Sequence, residues 1–307
     1  MNRQQHWLSI RDWPHNSLLQ LLELAAKLKK SPLAYRPLEG KTLAMIFHKS
    51  STRTRVSFEV GTTQLGGYPL MISAATSQMS RGEPIEDSAR VLSRYVDGVM
   101  IRTYSHLDLE RWAEFSRVPI INGLTDMYHP CQVLADLLTI QEQFGPEMDW
   151  QSLKIAWVGD GNNMAHSWIE AATSLGFTLN IACPIHFDPE QSILDYAHQN
   201  GAQVNIYREV QEAVRGVQVI NTDVWTSMGQ EEETKIRKEA FKNFQVNENL
   251  MSLADPQAIF LHCLPAHREE EVSQAVLEGE QSRVWDQAEN RLHAQKAILA
   301  HLMGGLT

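Results

Sequence analysis

The chain has 307 residues, 43% hydrophobic and 21% charged, which is material for about two ordinary domains whose cores need no disulfide or metal staple. Its 27 Lys+Arg against 37 Asp+Glu leave a formal net charge of −10, which argues against a general nucleic-acid binder while leaving room for a local basic pocket. Three cysteines (Cys131, Cys183, Cys263), no apolar signal-peptide core in residues 1–7 and no run near the ~18 apolar residues of a membrane span point to a reducing, cytoplasmic setting.

Leucines 18, 19, 21, 22, 24 and 28 make a helical stripe over residues 16–30, with Asn16 or Ser17 as cap and lysines at the end. Residues 42–49 read as a buried strand, and residues 50–66 open with hydroxyl side chains and then take helical spacing. Strands at 68–73, 97–103 and 118–124 alternate with helices at 85–96 and 107–116, and a long amphipathic helix at 129–145 is stopped by Gly145-Pro146. The pattern then restarts, with strands at 153–161, 178–184, 203–207, 217–225 and 259–265 and helices at 162–176, 193–201 and 210–216. Residues 231–242 are a charge run, read as a solvated helical face, and 287–304 form a closing helix. Such alternation implies an α/β fold of two doubly wound parallel-sheet domains with an active-site cleft between them. The expected domains are residues 1–145, with the C-terminal helix 286–307 packing back on them, and residues 146–285.

Ligands of open parallel sheets bind beyond the carboxyl ends of the strands, so chemistry is sought in those loops. Ser50-Ser51-Thr52-Arg53-Thr54-Arg55 joins a helix N-terminus, hydroxyl donors and two arginines, the makings of a phosphate site without a glycine-rich loop; the plainer alternative is a capping run with surface arginines. Arg102 ends a strand, and His129 and Gln132 share one side of a helix's first turn, where the three could donate to a carbonyl oxygen as it gains charge. Gly159-Asp160-Gly161-Asn162-Asn163 looks like a dinucleotide turn, but Met164 holds the third small position and the next strand ends in Cys183-Pro184 with no acid for a ribose. Its Asn pair could instead bind a zwitterionic ligand. Asp223 at a strand end, before Trp225-Thr226-Ser227-Met228-Gly229, suits a cationic group or an ordinary Asp turn. His262, Cys263 and His267 match no common structural-zinc spacing, and no metal is expected. Arg291, within the last helix, is by itself a surface arginine.

Taken together, Ser51-Thr52-Arg53-Thr54-Arg55 and His129-Pro130-Cys131-Gln132 resemble the aspartate/ornithine carbamoyltransferase family, and Asp223 to Gly229 with His262-Cys263-Leu264-Pro265 resemble its ornithine branch. The resemblance runs from about residue 7 to the last helix. The aspartate branch typically carries a lysine in the loop near residues 77–84, which here reads Ser77-Gln78-Met79-Ser80-Arg81-Gly82-Glu83-Pro84. The resemblance implies a carbamoyl phosphate domain followed by an ornithine domain. It implies transfer of the carbamoyl group to ornithine's side-chain amine to give citrulline for arginine synthesis, with no cofactor. Ser51, Thr52, Arg53 and Thr54 would bind phosphate. Arg102, His129 and Gln132 would hold the carbamoyl oxygen, Arg102 also reaching phosphate, and Arg291 would close over carbamoyl phosphate. Gln78 would reach a neighbouring subunit's phosphate in a homotrimer. Asn163, Asp223, Ser227 and Met228 would hold ornithine, with Cys263 and the Leu264 carbonyl beside its side-chain nitrogen. One departure is Glu269, where the family usually has glycine after His-Arg.

The chemistry implied is compatible with these residues. A side-chain amine of reference pKa about 10.4 arrives protonated, and Asp223 and Cys263 can orient it and help remove a proton. The attack builds an oxyanion facing Arg102 and His129. Alternatives are a relative acting on putrescine or an acylated ornithine, a non-catalytic binding protein on the same fold, and, last, a nicotinamide enzyme.

Overall fold

The computed structural model describes residues 5–73, 82–226 and 233–305. They fall into two compact units, Met1–Leu138 with Asn290–Thr307, and Thr139–Glu289.

The first unit runs α1 (His15–Lys30), β1 (Thr42–Phe47), α2 (Thr52–Gln64), β2 (Tyr68–Ser73), α3 (Ile85–Leu92), β3 (Gly98–Arg102), α4 (His106–Phe115), β4 (Ile120–Leu124) and into α5 (Pro130–Phe144). Its four strands are all parallel in the order β2-β1-β3-β4. β1 and β3 are buried almost throughout because a parallel sheet is covered on both faces, which is why they read as unbroken apolar runs. Ala44, Ile46, Val99, Ile101 and Ile120 build one core layer with Leu109 and Trp112 of α4. α1 buries Leu18, Leu21, Leu22, Ala25 and Leu28, but it starts at His15 behind Pro14, whose carbonyl takes the Ser17 and Leu18 N–H groups, so neither Asn16 nor Ser17 caps it.

The second unit runs β5 (Lys154–Val158), α6 (Asn163–Leu175), β6 (Thr178–Ala182), α7 (Gln191–Gln199), β7 (Val204–Tyr207), α8 (Val210–Ala213), β8 (Val219–Thr222), α9 (Thr234–Phe241), α10 (Glu248–Met251), β9 (Ile259–His262), α11 (Gln274–Leu277) and into α12 (Val284–Gly304). Its five strands are parallel in the order β7-β6-β5-β8-β9. The one-turn helices α10 and α11 fall where the sequence carries no helical period. The charge run is not wholly solvated: α9 turns Arg237 and Phe241 inward, one helical turn apart, and leaves Ile236 outside.

The part of α12 from Asn290 onward belongs to the first unit. Lys296, fully buried, donates its Nζ to Pro32 O and to Gln64 Oε1, both at 2.9 Å, and Lys29 Nζ donates to Asn290 Oδ1 at 2.8 Å. Burial pushes the Lys296 ammonium down to about 8. Among the described residues, no helix is long and apolar enough to cross a membrane.

Candidate active site

Each sheet reverses its winding at one place, and the loops that leave the flanking strands there are where ligands of open α/β sheets bind. In the first unit the reversal lies between β1 and β3, in the second between β5 and β8. At the carboxyl ends of these four strands, in the strand end, loop or helix start that follows, lie Ser51–Thr54, Arg102, Asn163 and Asp223.

In the first unit, Ser51 caps α2 by accepting the Thr54 N–H at 3.3 Å, so the helix's open N–H groups face the end of β1. Thr52 and Arg53 are exposed on the first turn, and Arg55 spends its charge on Glu59 at 3.0 Å. The β3–β4 ladder shifts register between Ile101 and Arg102, an irregularity of the kind that re-aims a side chain. Arg102 is buried, and its Nη1 approaches Thr54 Oγ1 at 3.5 Å. Arg291 is buried too; its Nη2 donates to the same hydroxyl at 3.3 Å and its Nη1 to Gln132 Oε1 and, at 3.5 Å, to His129 Nε2. The Gln132 amide nitrogen is held by Asp136 Oδ1 at 2.8 Å. Burial, then the Arg291 and Arg102 guanidiniums, hold the His129 imidazole well below its usual range, so the ring is neutral. Ser51, Thr54, Arg102, His129, Gln132 and Arg291 are therefore one cluster, with two buried guanidiniums meeting at a single hydroxyl. This is a ready anion pocket. Arg291, a surface arginine by local pattern, is part of it because α12 returns to this unit.

In the second unit, Asn162 caps α6, taking the Met164 N–H at 2.9 Å, and the neighbouring Asn163 side chain is partly exposed at the helix start. Asp223 follows β8. Its Oδ1 accepts the Val224 N–H at 2.8 Å and the Cys263 thiol at 3.0 Å. Burial holds this carboxyl above the usual carboxylate range, against the pull of the Cys263 thiol and of the Val224 N–H. Cys263 and Leu264 leave β9 in a turn with Leu264 in the left-handed region, φ 57°, before a cis Leu264-Pro265 bond. Cys131 and Cys183 are buried, and burial pushes both thiols up to about 12, so Cys263 is the reachable one. Gln78, Ser227 and Met228 lie outside the described residues.

Ligand atoms of Asp223, His262 and Cys263 lie within 4.8 Å of one another. Both His262 nitrogens are nonetheless engaged, one by the Leu264 N–H at 2.9 Å and the other with Glu271 at 3.0 Å, so a metal would have to displace existing hydrogen bonds.

Two features were not legible locally. Arg237 reaches from α9 to Asp160 Oδ2 at 2.7 Å and to the Trp225 carbonyl at 3.1 Å, tying the loop after β5 to the loop after β8. Glu269, in the place of the usual glycine, takes the left-handed φ of 67° that a glycine would favour, and its carboxylate accepts the Gln274 N–H at 2.8 Å.

The family model for the aspartate/ornithine carbamoyltransferase carbamoyl-P binding domain matches residues 5–142, and the model for the Asp/Orn binding domain matches residues 151–302. An ornithine carbamoyltransferase of Geobacter metallireducens is 54% identical over 303 residues, 97% of this chain and 99% of its own. The ornithine carbamoyltransferase structure from Pyrococcus furiosus superposes with a TM-score of 0.93 at 47% identity, covering 99% of this chain and 98% of that one. The anabolic ornithine carbamoyltransferase from Campylobacter jejuni gives 0.91 at 41%, covering 97% and 99%.

Proposed function

The chain belongs to the aspartate/ornithine carbamoyltransferase family, and from that premise we propose that it transfers the carbamoyl group of carbamoyl phosphate to the side-chain amine of L-ornithine, giving L-citrulline and phosphate in arginine biosynthesis. The observation that carries the choice of acceptor is the Asp223–Cys263 pair. It is a partly buried carboxylate, its basicity raised by desolvation, next to a thiol, a setting that suits a cation. The Geobacter metallireducens and Pyrococcus furiosus relatives, matched almost end to end at 54% and 47% identity, are named for ornithine.

Carbamoyl phosphate lies with its phosphate on Ser51, Thr52, Arg53 and Thr54 and its carbonyl oxygen toward Arg102, His129 and Gln132, with Arg291 contributing charge. Gln78 extends the phosphate contacts from a neighbouring subunit. Asn163, Asp223, Ser227 and Met228 hold the amino acid, and Cys263 and the Leu264 carbonyl flank its side-chain nitrogen. Asp223 stabilises the ammonium and draws one proton toward itself. The amine's lone pair attacks the carbonyl carbon, a C–N bond forms, and the carbonyl electrons move onto oxygen. His129 meets that oxyanion as a neutral donor, so the compensating charge comes from Arg102 and Arg291. The C–O bond to phosphorus then breaks, phosphate leaves with the electron pair, and the second amine proton leaves with it. Positioning two substrates supplies most of the acceleration.

Self-association into a homotrimer is part of the proposal. Strand β2 is an edge of its sheet with Tyr68, Leu70 and Met71 exposed, beside exposed Val56 and Val60 of α2, an apolar surface of the kind that subunits cover. A reachable Cys263 thiol fits the reducing cytoplasm. The test is a citrulline assay on purified protein with carbamoyl phosphate and a panel of amines. L-Ornithine reacts far faster than putrescine, N-acetylornithine or L-aspartate; the reverse order would reject the acceptor.

A further inference from the structure

Two helices of the first unit bring charge and hydroxyl together in the anion pocket: α2 carries Thr54 and α12 carries Arg291. They meet at three places. Near the start of α2, Arg291 Nη2 donates to Thr54 Oγ1 at 3.3 Å. Further along, Gly61 faces α12 with no side chain between; a Cβ there would lie 3.2 Å from Lys296 Cγ and 3.4 Å from Leu292 Cδ1. At the last residue of α2, Gln64 Oε1 accepts from Lys296 Nζ at 2.9 Å. The same ammonium donates to Pro32 O, just beyond α1, at 2.9 Å.

Lys296 has no exposed surface, and both of these oxygens are uncharged. Burying an ammonium costs far more than burying an apolar chain of similar length, so filling the space does not call for a lysine. What the ammonium adds is direction. Its donors must meet two oxygens fixed on different segments, whereas an apolar chain tolerates neighbouring placements. Single buried polar residues set the register of paired helices in this way, at a cost in stability. Register matters here because a one-residue slip of α12 would shift its side chains by about 1.5 Å and turn them by roughly 100°, taking Arg291 away from Thr54. The close approach at Gly61 leaves little slack between the two helices. Two further lysines fasten this stretch of α12 to the same unit, Lys29 Nζ donating to Asn290 Oδ1 at 2.8 Å and Lys41 Nζ to Met303 O; Lys296 joins it to α2.

We propose that Lys296 is a positioning residue for the carbamoyl phosphate half of the site: by pinning α12 to the end of α2 and to Pro32, it sets the register that brings Arg291 to Thr54. This rests on the carbamoyl phosphate assignment above and not on the identity of the acceptor.

The test is a double-mutant cycle in the full-length protein. Carbamoyl phosphate is titrated by calorimetry into wild type, Lys296→Met, Arg291→Ala and the double variant. Methionine keeps the length and the apolar stem and removes the donor. Lys296→Met is expected to weaken binding about five- to ten-fold when Arg291 is present and by less than about two-fold when it is absent, because the first residue acts through the second. In steady state, the KM for carbamoyl phosphate should rise with the KM for ornithine unchanged within about two-fold. Unchanged affinity, or equal weakening in both backgrounds, would overturn the proposal. Gln64→Leu removes one acceptor at a partly buried position and should give the same dependence on Arg291 in smaller degree; it decides if Lys296→Met does not fold, and an equal effect in both backgrounds would again overturn the proposal. If wild type binds no carbamoyl phosphate, that assignment fails by itself and hydrogen exchange reads the register. Lys296→Met and Gln64→Leu should then speed amide exchange in residues 52–64 and 290–296 relative to the second unit, and unchanged protection there would overturn the proposal.

Discussion

Arg291 and Thr54 are 237 positions apart in sequence, yet Arg291 Nη2 donates to the Thr54 hydroxyl at 3.3 Å. Arg102 approaches the same oxygen at 3.5 Å. Two buried guanidiniums converging on one hydroxyl gather positive charge at a single point, the arrangement an oxyanion fits. Arg291→Ala should weaken carbamoyl phosphate by about 1.5–3 kcal/mol, roughly ten- to hundred-fold, with little change in the KM for ornithine. Titration of the apo protein with carbamoyl phosphate by calorimetry checks this, and unchanged affinity would remove Arg291 from the pocket.

His129 should stay neutral well below pH 6.5. Burial, then Arg291 and Arg102, lower its pKa, so below 6.5 the unfolded chain takes up a proton that the folded chain refuses, and stability falls as pH drops. Its NMR resonances should show no titration between pH 8 and about 6, and replacing His129 with Gln should flatten the acid side of the stability curve. A midpoint near 6.5 would contradict the neutral-donor role.

Asp223 carries the opposite sign of linkage. Its folded pKa is raised by burial, so the folded state binds the extra proton, and stability is lost as pH rises from the ordinary carboxylate range through the folded value. At neutral pH the ionised group is a net cost until a cation arrives. Asp223→Asn keeps an oxygen for the Val224 N–H and the Cys263 thiol, and should raise stability by on the order of 1 kcal/mol, about 2–4 °C in Tm for a unit of this size, while abolishing ornithine turnover. Thermal melts at neutral pH and at pH 4 test it; the gap should shrink at the lower pH.

Gly161 is dictated by packing rather than by φ. A Cβ there would lie 2.1 Å from Pro189 N and 2.3 Å from Asp188 C, both backbone atoms that cannot step aside. Gly161→Ala should destabilise the second unit by about 4 kcal/mol or more, read as loss of soluble protein or a steep fall in the denaturant midpoint. A variant of near-normal stability would mean that the loop at Asp188 yields.

Much of this was legible beforehand for identifiable reasons. The buried strands β1 and β3 announce themselves as apolar runs, and the hydroxyl-rich start of α2 and Asp223 fall on loops that parallel-sheet topology already singles out. What stayed hidden depends on contacts distant in sequence. Arg237 sits in a charge run and looks solvated until α9 packs beside Phe241. Arg291 looks like a surface residue until α12 returns to the first unit. Glu271 is one of three consecutive glutamates, and only the fold shows that Glu269 caps an N–H, Glu270 pairs with Lys238 and Glu271 is buried against His262. Pro14 ends the search for a cap that Asn16 or Ser17 would otherwise supply.

The most direct test of the proposed reaction follows carbon. Carbamoyl phosphate labelled with carbon-13 at its carbonyl, mixed with enzyme and L-ornithine and watched by NMR, should pass its label to the ureido carbon of citrulline, with phosphate released one for one. Label appearing in bicarbonate at the uncatalysed rate, or on a nitrogen other than the ornithine side-chain amine, would contradict the account.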